Sequence, residues 1–265
     1  MAEDAEKYKN DWDKLLEPEF EAALDDLGAA WASANRSNGT VRTKKLQVHA
    51  ESLATLFDEA DKLGELWTQL LEQLARDHCA KNNYEFSTRD GTMTPATTFK
   101  KIGTKKIGRA LQKVHRSYFM DTKTGTMMID PWRKLCDLCR ASLVFRPQEF
   151  GGSNAAAIRA MAGCIRAIEG HPDLEVIQQS DEKMRLRTSF ESEAGYRDVQ
   201  FCVRLKSAAA QAHGVDSHFA ELQLHFGPMM DLKNGIKMEG GRGQCYSQVV
   251  TQITSRRATS RAVEW

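Results

Sequence analysis

The sequence predicts an α+β protein: a mixed β-sheet of four or five strands flanked by helices, with an N-terminal α-helical hairpin. Three patterns lead there. Before residue 80, Leu46, Leu53, Ala60, Trp67 and Leu74 recur at steps of seven, with Leu56, Leu63 and Leu70 interleaved, which is the stripe of an amphipathic helix. Residues 153–168 carry Ala157, Ile158, Met161, Ile165 and Ile168 on one side of a second such helix. After residue 183 the apolar period falls to two, the alternation of strands with one wet and one dry face.

The first helical segment opens on Trp12, Leu15 and Leu16, accepts Pro18 in a first turn where a missing N–H costs little, and continues through Phe20, Leu24, Leu27 and Trp31. The cluster from Asn35 to Gly39 is a turn, and the heptad helix follows it. Two helices joined by a short turn imply an antiparallel hairpin, serving as a packing element or as a coiled coil for a partner or a second copy. Residues 84–99, rich in Ser, Thr, Gly and Asn with Pro95, read as a loop. The chain therefore divides into residues 1–95, the hairpin and loop, and residues 96–265. In the second part the expected order is a helix at 104–118, strands at 140–146, 174–178, 183–187, 197–204 and 219–225 with the helix at 153–168 after the first, then helices at 227–236 and 243–257. Neither a dinucleotide-binding glycine fingerprint nor a phosphate-binding P-loop follows any strand.

Composition narrows the function classes. Of 265 residues, 41% are hydrophobic and 28% charged, which suits a globular chain, and a net charge of +1 points to no partner by itself. No run approaches the roughly 18 apolar residues of a membrane span. The acidic start, Met1 to Glu6, lacks the apolar core of a secretory signal, so a cytoplasmic protein without membrane association is expected. Six scattered cysteines suggest free thiols. Cys136 and Cys139 form one C-x-x-C without a second zinc-ligand pair at matching spacing, and read as small apolar residues entering a buried strand.

Chemistry concentrates in three places. Seven basic residues and no acid fall within 100–116, and Lys105, Arg109, Lys113 and Arg116 share a helical face. Like charges at that spacing repel by a few tenths of a kcal/mol per pair, a cost reversed beside a polyphosphate or a nucleic-acid backbone. Ile107, Leu111, Val114 and Tyr118, on another face, are expected to pack inward. Asp198, Gln200, Cys202 and Arg204 on one strand, and Glu221, Gln223 and His225 on another, form polar rows that join into one surface if the apolar rows join the core, with Arg185 and Arg187 extending it. Asp137 stands at a strand entrance; it is either a turn residue or, with Glu221, a holder of a divalent ion.

In order, Lys105-x-x-x-Arg109-Ala110-x-x-Lys113, Asp137-Leu-Cys-Arg140, Gly195-Tyr196-Arg197-Asp198 and Glu221-Leu-Gln223 resemble the motifs of RelA/SpoT-like nucleotidyltransferases, the alarmone-synthetase type, over about residues 98–250. The Asp-Leu-x-Arg and Gly-Tyr-Arg-Asp forms are similar to a divergent branch of that family. The resemblance implies a synthetase-like sheet and Mg2+-dependent transfer of pyrophosphate from ATP to a ribose hydroxyl of a nucleotide or RNA acceptor. It implies that Lys105, Arg109 and Lys113 hold ATP phosphates, that Asp137 and Glu221 are catalytic and sit at the metal, that Tyr196 stacks on the acceptor base, that Gln223 lines the pocket and that Arg187 meets a phosphate. The alternative is a catalytically silent nucleotide-binding or protein-interaction domain of the same fold.

Overall fold

The computed structural model describes residues 2–36, 49–78, 85–87, 93–95, 105–120, 125–177, 183–187 and 197–235. Its centre is a six-stranded mixed sheet in the order β2-β1-β3-β6-β5-β4. The strands are β1 (Glu85–Ser87), β2 (Met93–Pro95), β3 (Cys139–Phe145), β4 (Leu174–Ile177), β5 (Val199–Leu205) and β6 (Ala220–Phe226). Strand β3 runs parallel to β6, while β5 runs antiparallel to both β6 and β4. The helices are α1 (Ala2–Asp13), α2 (Pro18–Arg36), α3 (Leu53–His78), α4 (Ile107–Lys113), α5 (Asn154–Gly170), α6 (Ala208–Ala212) and α7 (Gly227–Gly235).

The period of two decides which side of the sheet is dry. Cys139, Ala141, Leu143 and Phe145 pair in register with Ala220, Leu222, Leu224 and Phe226, and on β5 Val199, Phe201 and Val203 continue the row. All are buried in one cluster with residues of α1, α2, α3 and α5. Each large side chain so buried contributes about 1.5–3 kcal/mol against chain entropy. Helix α5 is the keystone. Ser153 caps it by accepting from the Ala156 N–H at 3.1 Å. Ala157, Ile158, Met161, Ile165 and Ile168, the predicted stripe, are all buried.

Several expectations are revised. The N-terminal helices do not form a hairpin set apart from the sheet: α2 packs chiefly along α5, and α3 touches α5, β3 and α6. Of the heptad stripe, Leu56, Ala60, Leu63, Trp67 and Leu74 are buried and Leu53 and Leu70 half-buried against the protein's own core, with Leu71, outside the predicted stripe, buried beside them. Residues 84–99, read as a loop, contribute β1 and β2, which are only three residues long and so too short for a period to show. Residues 183–187 form no strand. Met184 makes a single bridge to Val199, along the edge of β5 where β4 has ended. The helix expected over 104–118 is α4 followed by a π-helical turn, Val114–Tyr118. Its inward contacts are Ala110 and Val114, whereas Ile107 and Leu111 are 59% and 49% exposed. The expected helix at 243–257 lies outside the described residues.

One close approach requires its glycine. A Cβ on Gly227, the first residue of α7, would lie 2.9 Å from Arg146 Cγ and 3.1 Å from the Phe145 carbonyl oxygen. That approach seats α7 against the end of β3, where Arg146 pairs twice with Asp231.

Candidate active site

The polar rows of β3, β5 and β6 meet on the side of the sheet opposite the core. Register places Arg140 beside Glu221, Ser142 beside Gln223, and Gln200 beside Gln223 on the other flank. The rows are cross-linked. Gln223 Nε2 donates to Glu221 Oε1 at 2.9 Å, and Ser142 Oγ donates to Gln223 Oε1 at 3.4 Å. Arg140 approaches Glu221 at 4.0 Å.

Asp137 stands just before β3. A backbone hydrogen bond from the Lys105 N–H to the Leu138 carbonyl, 2.9 Å, anchors the approach to α4 beside it. Lys105 Nζ then donates to Asp137 Oδ2 at 2.6 Å, and Lys113 Nζ donates to the same oxygen at 2.7 Å. Asp137 is 7% exposed, and its other oxygen, Oδ1, is buried with no hydrogen-bond partner. The wide π-helical turn after Lys113 brings Tyr118 under the lysines: its ring centroid lies 5.5 Å from Lys113 Nζ and 5.9 Å from Lys134 Nζ.

The electrostatics are unequal. Burial works to raise the Asp137 carboxyl, but Lys113 and Lys105 outweigh it and hold it well below the usual carboxylate range. Burial also works to lower both ammonium groups. Lys113, with Asp137 and Tyr118 beside it, is nonetheless raised above the ordinary lysine value, while Lys105 is left lowered. One carboxylate cannot compensate two buried cations, so the trio carries a net positive charge. Glu221 behaves oppositely: burial, reinforced by the nearby charge of Asp137, pushes its carboxyl up. The site thus holds a firmly ionised carboxylate with a spare buried oxygen and a second carboxylate that takes a proton more readily. Their oxygens are hard donors of the kind that hold a divalent cation with phosphate.

Of the residues singled out from the sequence, Lys105, Lys113 and Asp137 form one cluster, and Glu221 with Gln223 lies beside it on the same sheet. Arg109 shares the helical face of Lys113 one turn earlier; it is exposed and has no ion pair among the described residues. Arg187 is half-buried, and its carbonyl accepts from Arg197 Nη1 at 2.7 Å. Tyr196 lies outside the described residues.

Other residues surround the cluster. Tyr118 packs against the core as expected, and the π-helical turn, which no apolar period announces, also sets its ring beside Lys113 and Lys134. Asp198 is fully buried and pairs with Arg185 at 2.9 Å. Gln200 accepts from Lys183 at 2.8 Å and donates to Asp198 at 2.9 Å. The β5 row is thus a closed network flanking Gln223. Arg197, in the Gly-Tyr-Arg-Asp motif, is structural: its guanidinium lies 4.1 Å from the Trp12 ring centroid. The C-x-x-C behaves as the sequence suggested. Neither cysteine is in a disulfide; Cys136 is half-buried, and burial pushes the Cys139 thiol up to about 12, far from a reactive thiolate.

No helix among the described residues is long and apolar enough to cross a membrane. In comparisons with known proteins, no family model matches the chain, and no significant match is found among curated proteins or solved structures.

Proposed function

We propose that the protein transfers pyrophosphate from ATP to a ribose hydroxyl of a nucleotide or RNA acceptor, with Mg2+, in the manner of a divergent RelA/SpoT-like nucleotidyltransferase. The observation that carries this reading is the pairing of unlike carboxylates, Asp137 held ionised between two lysines and Glu221 pushed up beside it. In the proposed reaction the hydroxyl oxygen forms a bond to the β-phosphorus of ATP. The bond from that phosphorus to the oxygen bridging to the α-phosphate breaks, and AMP leaves. Glu221 accepts the hydroxyl proton, a task suited to a carboxylate with a raised pKa. Lys105, Lys113 and Arg109 hold the phosphates, and Gln223 orients Glu221 by donating to it. Tyr196 and Arg187 remain in the proposal on the strength of the motif alone.

Asp137 Oδ1 and Glu221 are the groups proposed to hold Mg2+. The fit rests on the buried, unpartnered Oδ1 and on the hard-oxygen character of both side chains. When bound, the ion neutralises charge on the transferring phosphates.

One observation favours a catalytically silent nucleotide-binding domain instead: both lysines are already engaged with Asp137. Incubation of the purified protein with ATP labelled in the β- and γ-phosphates, Mg2+, and a panel of guanosine and adenosine nucleotides and tRNA separates the two. Release of AMP with label on an acceptor supports the enzyme. ATP binding without transfer to any acceptor supports the silent domain.

A further inference from the structure

We infer that His49, Glu59 and His218 form a binding site for a divalent transition-metal ion of the zinc class, away from Asp137. The three come from separate stretches of the chain: the residues before α3, the early turns of α3, and the turn that leads into β6. They converge on one carboxylate oxygen. His49 Nε2 lies 2.7 Å from Glu59 Oε2, and His218 Nδ1 lies 3.1 Å from the same atom. One ligating atom from each residue falls within 4.8 Å of the others. Tetrahedral zinc, with bonds of about 2.0–2.1 Å to nitrogen, sets its ligand atoms about 3.3 Å apart. The two nitrogen–oxygen spacings are those of shared protons, and ligation lengthens each of them by a few tenths of an ångström.

The donor set selects the metal. Two imidazoles with one carboxylate suit zinc and its neighbours, whereas Mg2+ prefers oxygen throughout. On binding the ion, each ring gives up the proton it directs at Glu59 or moves it to its other nitrogen. Burial keeps His218 below its ordinary value and hence neutral, and hydrogen bonds from His218 and His49 hold Glu59 ionised against its own burial. A carboxylate flanked by two imidazoles is a donor set that favours a cation. His218 is fully buried, and its Nε2 makes no hydrogen bond, so the ring's side-chain anchor is on the Glu59 side. A metal bond there adds to what the ring now has, one charge-assisted hydrogen bond to Glu59 worth about 1.5–3 kcal/mol. The side chains of His49 and Glu59 are 22% and 12% exposed, which leaves a path for the ion and room for water as a fourth ligand. The bound ion would join α3 to the start of β6, three residues before Glu221.

The test strips the full-length protein with a chelator and titrates it with Co2+, then Zn2+. The inference expects roughly one equivalent bound, with visible d–d absorption of a four- or five-coordinate ion, bleached by Zn2+. His49→Ala and Glu59→Gln should each weaken binding by roughly tenfold or more while the far-ultraviolet circular dichroism is unchanged. His49 is only half-buried, so its variant should fold even if the second does not. Absence of binding at micromolar metal overturns the inference. So does binding of undiminished affinity in the His49 variant, or thiolate-to-cobalt charge-transfer bands in place of nitrogen and oxygen ligation.

Discussion

Two carboxylates in this molecule are each gripped by two nitrogen groups, and they prepare opposite chemistry. Asp137 accepts from two lysines, and Glu59 is held between two histidines. Ammonium groups stay protonated at neutral pH, so the Asp137 cluster has an excess of positive charge and is suited to an anion. Imidazoles can instead offer a lone pair, so the Glu59 cluster is suited to a metal cation. The two clusters share a geometry, and the ordinary pKa of the nitrogen groups decides what each can bind.

Substitution at Asp137 should break the comparison most severely. Asp137→Asn removes the charge that two buried lysines share, so transfer should fall by about a thousandfold or more. Its effect also reaches stability. Leaving buried cations uncompensated costs several kcal/mol in the dry limit; here the lysine side chains are 22% and 32% exposed, which reduces the loss to about 1–3 kcal/mol. Thermal melting should show a fall of a few degrees per kcal/mol. Co2+ binding at Glu59 should be untouched. A variant as stable as the parent would mean that the lysines are solvated and the cluster is loose.

Lys113→Ala and Lys105→Ala sharpen the difference between the two lysines. Each should weaken ATP·Mg2+ binding roughly tenfold at low salt and less at high salt, because screening already weakens the attraction. Lys113→Ala should also lower stability more, since Lys113 is the lysine whose charge the site favours. Arg109→Ala should be gentler, a loss of a few-fold in ATP affinity with no change in melting temperature, because Arg109 is exposed and unpaired among the described residues.

Acid titration gives the smallest and most specific signal. The Asp137 pKa is depressed in the folded state, so its stabilisation is fully present above the unfolded value of about 3.9 and is lost as pH falls further. Glu221, raised in the folded state, has the opposite slope: it costs stability as pH rises through its folded pKa. Melting temperatures between pH 2 and 6 should therefore show a shallower acid limb in Asp137→Asn than in the parent.

The sheet and the polar face were legible because strand alternation is a local property. Gln200, Glu221 and Gln223 were assigned to one face by parity alone, and the register unites them. Helical spacing placed Arg109 and Lys113 on one face, but Lys105 precedes α4 and reaches Asp137 from the segment anchored to the Leu138 carbonyl. Other features depend on what the chain meets later. The α3 stripe looked like a coiled-coil seam because a heptad pattern does not say whether its partner is another helix of the pair or α5 and β3. Ile107 and Leu111 fit an inward stripe, yet the helix is too short to dock it. The histidine cluster joins residues 159 apart in sequence, Glu59 and His218, and no spacing rule connects them.

The central claim, that unlike carboxylates divide the labour, is tested most directly by Glu221→Gln. ATP·Mg2+ affinity and pyrophosphate transfer should be measured side by side in the parent and the variant. The amide keeps the shape and still accepts from Gln223, and it removes a buried charge beside Asp137. ATP·Mg2+ affinity should fall several-fold, because Glu221 is one of the two groups proposed to hold Mg2+, and the melting temperature should hold or rise, while transfer falls by about a thousandfold or more. Transfer at the parent's rate in Glu221→Gln would contradict the account.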